Sequence, residues 1–449
     1  MTLAPIPISK AKKRPKLEAT ELIIWLALRN EPDLHRGDLF KLDTFSGQTL
    51  IMHPIPIPSV APPSNWAPRD TTDVDIGHLL VWLQANNFVK ASITRVGHAI
   101  DMEADRNQFS AARKAIEDLP AWDGVQRMHR FWMDVCGAQA WHEGMRDEEV
   151  ITKGRYLEMT ARCFFISIIA RIMRPGCKAD FSPVLEGPQG SRKSTLLRII
   201  ALDRDDWFSD CMPRDLGNKD ARSHLAGKLI VELAEMHQMK ATQVDTLKGF
   251  LTVESDKFRP SYGRRDVTLK RQCVFVGTTN ASNYFRDETG NRRFWPIACG
   301  DINLDLARQT MPQIYAEAYA EYQQGEQWWL PPDVEELAEA EQDLRIADDP
   351  WEEGVREAVI QANSTARLNG EAFFFVTAVD GLKKVEEARD RWDFAKQYRV
   401  ALILKKLGGK NMRLPRRGNS QKRGFRFITT EKWLIDPAQQ SQVVSGFDL

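Results

Sequence analysis

The chain has 449 residues, enough for several independently folding domains. Its 62 Lys+Arg balance 62 Asp+Glu, so net charge points to no class of partner and only the distribution is informative. The six cysteines are scattered with no C-x-x-C pair, which argues against both a secreted disulfide scaffold and a structural zinc site. No apolar run matches a membrane span and residues 1–16 lack a signal-peptide core, so a cytoplasmic protein with no membrane partner is expected.

Residues 1–69 read as an N-terminal arm and a proline-rich linker region. Lys10 to Lys16 is basic and unpatterned, either a solubilising tail or a loose phosphate-backbone contact. Leu17 to Leu28 reads as a short helix, and the six prolines between Pro54 and Pro68 exclude a regular one. Residues 70–177 read as a helical domain. Ile76, Leu79, Leu80 and Leu83 share one face of Asp73 to Phe88. Further helices are expected over Phe109 to Leu119 and Val125 to Val135, and the domain closes at Pro175-Gly176.

Residues 178–330 change character. Short apolar strands at Ser182 to Leu185, Lys228 to Leu233 and Cys273 to Gly277 alternate with polar or helical segments. That alternation implies a largely parallel sheet with its ligand beyond the strands' carboxyl ends. Residues 331–357 are expected to be a solvated, helical acidic linker, since Asp333 to Glu357 holds 11 acids against two arginines. Residues 358–449 form the last domain, in which Lys396 to Arg426 holds 11 Lys/Arg and no acid.

The chemistry concentrates after the first of those strands. Gly187, Pro188, Gln189, Gly190, Ser191, Arg192, Lys193, Ser194 and Thr195 have the spacing of a phosphate-cradling P-loop, with Lys193 six positions after Gly187. Glycines let the backbone curl so that its N–H groups point at a phosphate; the lysine adds positive charge, and the serine hydroxyl ligates Mg²⁺. Arg192 stands where such loops carry glycine.

Three later features complete a nucleotide engine. The strand Leu229 to Leu233 carries Glu232 and leads to Glu235; one acid would position the metal shell and the other the attacking water. Glu232 is assigned to the metal and Glu235 to the water, with the reverse order open. The strand ending at Thr278, Thr279 and Asn280 offers an amide to the γ-phosphate or the water. Arg292 and Arg293 lie in a loop from which an arginine could reach a neighbouring subunit's nucleotide, the other serving a salt bridge.

This compact set is similar to the superfamily 3 helicases of viruses and plasmids. With Pro175 to Lys178, Glu232 to Glu235, Arg259 to Arg264, Thr278 to Asn280 and Gly290 to Trp295, it resembles the virulence-associated E family. Asn107 to Phe109 and Leu119 to Gly124 extend the resemblance over about residues 70–300. The resemblance implies an α/β P-loop NTPase with an AAA+-like superfamily 3 helicase core, cofactors ATP and Mg²⁺, and a ring of subunits, expected to be a hexamer. It also implies a phage or mobile-element replication protein. With no primase-like carboxylate set in residues 1–70, a separate primase or other replication proteins are expected partners. Arg192 departs from the family's glycine and implies an altered or weakened ATPase.

DNA contacts are expected in two places. Between the Glu and Asn strands, Lys257, Arg259, Arg264 and Arg265 surround Phe258 and Tyr262, with Lys270 and Arg271 following. Basic groups interleaved with aromatics suit a nucleic-acid-tracking loop, or the nucleotide site or subunit interface. The second place is a helix from Phe394 followed by a basic hairpin, with Lys405, Lys406, Lys410, Arg413, Arg416, Arg417, Lys422 and Arg423. Helix plus basic hairpin suits a winged-helix-like domain. The leading expectation is thus an ATP-driven DNA helicase acting on single-stranded or forked DNA. The alternative is a nucleotide-binding DNA-assembly protein with weak or no hydrolysis, an origin binder or interference factor.

Overall fold

The computed structural model describes residues 15–57, 60–61, 63–140, 147–212, 216, 218–236, 241–258, 266–285, 291–346, 351–385, 394–413 and 423–429. The chain divides into two compact units, Met1–Ile346 and Ala347–Leu449. Among the described residues, no helix is long and apolar enough to cross a membrane.

The first unit opens with β1 (Leu17–Glu18), α1 (Glu21–Asn30), β2 (Phe40–Asp43), β3 (Gln48–Ile51), β4 (Arg69–Asp70), α2 (Asp73–Ala85), β5 (Phe88–Val89), α3 (Ile93–Arg106) and β6 (Gln108–Phe109). Strands β4-β3-β2-β6 form one sheet, and Leu28, Phe40, Ile51, Leu79, Trp82 and Ile100 share a core. The described part of residues 1–69 is therefore not an arm and linker. Leu28, Phe40 and Ile51 are buried against α2 and α3, so the segment belongs to the same module as the start of the expected helical domain. Asp75 starts α2: its carboxylate accepts from Thr72 N at 2.9 Å and takes a bidentate pair from Arg69 at 2.7 Å. That combines a cap with an ion pair.

There follow α4 (Ala111–Glu117), α5 (Phe131–Asp134) and the 27-residue α6 (Asp147–Met173). Val125 to Val135 yields a 3-10 turn at Met128–Arg130 followed by the single turn α5. Phe131, Trp132, Phe164 and Phe165 stack edge to face or tilted and carry α6 into the main core.

The nucleus is built from β7 (Ser182–Glu186), α7 (Lys193–Ile200), β8 (Phe208–Ser209), α8 (Lys219–His224), β9 (Ile230–Leu233), α9 (Ala241–Leu251), β10 (Ser255–Phe258), β11 (Val267–Lys270), β12 (Val274–Thr279), β13 (Phe294–Ala298), α10 (Leu304–Gln323) and α11 (Pro332–Asp343). The sheet runs β13-β7-β12-β9-β8 with every pairing parallel. Alternate residues enter opposite cores: Leu185, Ile230 and Val276 pack with α6, α7 and α10, whereas Val184, Val231 and Phe275 face the other way. Burial on both faces explains why these strands read as continuous apolar runs. At Gly277 a Cβ would lie 2.4 Å from Met236 Sδ and 3.0 Å from Val184, so only glycine admits this packing.

The acidic segment up to Ile346 is part of the first unit. Val334 and Ala338 of α11 are buried in the main core, Gln342 Nε2 donates to Phe294 O at 2.9 Å, and the unit boundary falls at 346/347. Spacing of i, i+4 and i+8 places these three residues on one inward face, leaving Asp333, Glu335, Glu336, Glu339 and Asp343 exposed.

The second unit comprises α12 (Glu352–Leu368), β14 (Phe373–Val376), α13 (Ala378–Val385), α14 (Phe394–Lys406), β15 (Lys410–Arg413) and β16 (Arg423–Ile428). Its antiparallel sheet has the order β14-β16-β15, and Phe374, Val400, Leu404 and Phe427 lie in its core.

Candidate functional site

Strand β7 delivers the chain to the carboxyl end of the sheet, and residues 187–192 turn it into α7. Gly190 at φ +82° and Arg192 at φ +66° make that turn. Arg192 is the residue before Lys193, at the N-cap of α7, and it is exposed. The free N–H groups of the helix start favour an anion there.

Lys193 folds back over the loop. Its amine donates to Gly187 O at 2.8 Å, Pro188 O at 3.0 Å and Ser191 Oγ at 3.0 Å. Partial burial lowers its pKa, while Cys299 and Glu232 act in the opposite direction.

One residue further, Ser194 Oγ donates to Glu232 Oε1 at 2.9 Å, and Thr278 Oγ1 donates to the same oxygen at 2.7 Å. Glu232 sits on β9 with 3 % exposure, and its Oε2 has no hydrogen-bond partner among the described residues. A buried carboxylate oxygen without a donor is costly. The set of hydroxyl and carboxylate oxygens fits Mg²⁺, which takes one or two carboxylates and leaves its other positions to phosphate and water. No group of three or more His, Cys, Asp or Glu suited to a metal occurs among the described residues.

Thr278 belongs to the strand-end motif Thr278 to Asn280, and its bond to Glu232 comes from tertiary pairing that local sequence does not show. Glu235, exposed at φ +52°, and Asn280, exposed directly after β12, flank this centre. Gln189 and Thr195 are exposed as well.

Beneath the loop, Glu186 ends β7 in a buried network that sequence reasoning missed. Arg345 holds it through Nε at 2.8 Å and Nη2 at 3.0 Å, Tyr284 donates to it at 2.8 Å, and Glu341 also pairs with Arg345. The two carboxylates raise the already high pKa of Arg345 against the opposing effect of burial. A partnerless-looking acid at the strand end was the only local signal.

Arg292 and Arg293 lie elsewhere. They precede β13, whose Phe294 pairs with Ser182 at the start of β7 while Ala298 pairs with Glu186 at its end. The arginines are thus at the amino end of the sheet, about 16 Å from the phosphate-loop end. They line a cavity of about 470 Å³ with Phe181, Trp295, Trp329 and Glu335. Arg292 is exposed, and Arg293 Nε is buried without a hydrogen-bond partner among the described residues.

Residues 116–346, more than half of the chain, match the family described as virulence-associated protein E-like domain. The chain belongs to that family. No curated protein matches it. Solved structures with similarity to this virulence-associated E-like chain include an A form apo structure of the NrS-1 C-terminal region. It has 14 % identity, covers 91 % of this chain and 99 % of its own, and gives a TM-score of 0.41. A second apo structure of that region has 16 % identity, 92 % and 99 % coverage and a TM-score of 0.42.

The basic positions of this E-like protein divide sharply. Lys257 on β10 is exposed but lies 3.6 Å from Asp266, and Arg259, Arg264 and Arg265 lie outside the described residues. Arg271 is no DNA contact: it is buried, bidentate to Asp256 at 2.8 and 2.9 Å. In the second unit Lys405 and Lys410 are exposed. Lys406, Arg413 and Arg423 lie in helix or strand without a described side chain, and Arg416, Arg417 and Lys422 fall outside the described residues.

Proposed function

We propose that this protein is an ATP-driven DNA helicase or replication protein of a phage or mobile element, built on an AAA+-like P-loop core of the superfamily 3 type. The observation that carries this reading is the chain Ser194–Glu232–Thr278 directly under the Lys193 helix start. It joins a phosphate-binding turn to a buried carboxylate with an unfilled oxygen.

In this reading, Lys193 exchanges its three loop contacts for the terminal phosphates of ATP, and the N–H groups of the loop and of α7 bind the same anion. Ser194 and Glu232 would hold Mg²⁺, which when bound neutralises charge on the phosphates and orients them. Thr278 fixes the rotamer of Glu232. Glu235 and Asn280, at the open side, position the attacking water. Arg292 and Arg293 are at the far end of their own sheet, so either could neutralise transition-state charge only on a neighbouring subunit's nucleotide. That requirement supports a ring. The α14 helix and the β15–β16 hairpin support a winged-helix-like DNA contact through Lys405 and Lys410.

The test is ATP turnover with and without single-stranded DNA. Lys193→Ala should abolish turnover while leaving DNA binding by the second unit; retained turnover rejects the site. The second reading, a nucleotide-binding assembly protein with little hydrolysis, is favoured by Arg192 alone. Comparing the native chain with Arg192→Gly decides it: an inactive native chain that the glycine activates supports this second reading.

A further inference from the structure

We infer that Arg192 acts between subunits, pairing with Glu335 and Glu339 of the neighbouring copy beside that copy's Arg292 and Arg293. The inference rests on the reading above, in which those arginines serve a neighbour's nucleotide.

Arg192 crowns the phosphate loop. Its guanidinium is exposed, and it has no ion pair among the described residues. On the other side of the molecule, Glu335 and Glu339 are exposed along α11, line the same cavity as Arg292 and Arg293, and pair with no described residue. Of the other acids on the helix, Asp333 pairs with Arg155 and Glu341 with Lys153 and Arg345, while Glu336 and Asp343, though exposed, do not line the cavity. One copy cannot bring the two sets together, because the loop leaves the carboxyl end of β7 and the cavity opens at its amino end.

A neighbour whose phosphate loop meets this cavity necessarily brings its Arg192 along, since Arg192 adjoins Lys193. The contact is head-to-tail, the kind that closes into a ring. Two acids beside two arginines then perform separate tasks. The arginines face the anionic nucleotide, while Glu335 and Glu339 take up the extra positive charge that this loop carries in place of glycine. Without them Arg192 would meet Arg292 and Arg293 as a like charge.

Sedimentation of the full chain with Mg²⁺ and a slowly hydrolysed ATP analogue tests this. Arg192→Glu should weaken self-association about tenfold or more, and so should Glu335→Arg with Glu339→Arg. Combining all three substitutions should restore assembly. Arg192→Gly should weaken assembly while raising the melting temperature, a divergence that a purely structural role does not produce. Native-like assembly of Arg192→Glu, or no rescue by the triple variant, overturns the inference. Turnover by the double variant Arg292→Ala, Arg293→Ala separates the two levels: its loss beside normal Arg192→Glu assembly sinks only this inference, whereas its retention removes the reading on which the inference rests.

Discussion

At Arg192 the backbone takes φ +66°, a left-handed conformation that glycine adopts without steric cost and arginine does not. Glu235, at φ +52°, is a second such residue at the same mouth, as expected where strain collects at functional sites. Arg192→Gly should therefore stabilise the fold by about 1 kcal/mol, the relieved strain exceeding the added freedom of the unfolded chain; chemical denaturation measures this. The sequence exposed Arg192 because phosphate-loop spacing is local. It did not single out Thr278, because which hydroxyl of a strand end turns toward Glu232 depends on pairing with β9, where Val276 lies opposite Glu232. Thr278→Val should leave Glu232 with one donor fewer and cost about 1–3 kcal/mol, read by the same denaturation.

At the scale of elements, α11 is held to the sheet by Arg345 on Glu186. Arg345→Ala leaves a buried carboxylate unpaired and should cost about 3–5 kcal/mol, measured by unfolding of the full chain. The partners are 159 residues apart, so no window of sequence contains the pair, and the surrounding acids read as solvated. The apolar i, i+4 pair Val334 and Ala338 was the available signal. The N-terminal module was hidden for another reason: strands of two to four residues are too short for alternation to register. Within it, burial alone would raise the pKa of Asp75, but the bonds from Arg69 and Thr72 outweigh it and the net shift is downward. Its stabilisation is thus full above the unfolded value of about 3.9 and is lost as pH falls through the folded one. Asp75→Asn should flatten that acid limb of stability. Arg69 is 44 % exposed, which limits the effect to about 1–2 kcal/mol.

For the whole molecule, a neutral total conceals an acidic α11 face and a basic C-terminal segment. If Lys405 and Lys410 contact phosphates, replacing each by alanine should weaken DNA binding across sequences and reduce the salt slope by about one; equal slopes would contradict that role. The parallel nucleus was legible because both faces of its strands are buried, whereas the acidic helix, the N-terminal module and the Glu186 network required tertiary partners. The central claim is that Lys193 and its loop bind nucleotide. Calorimetric titration of Mg²⁺-ATP into the native chain and into Lys193→Ala tests it most directly. One saturable event per chain is expected, weakened about 10- to 100-fold by the loss of a charge-assisted bond; equal affinity in the two proteins would contradict the account.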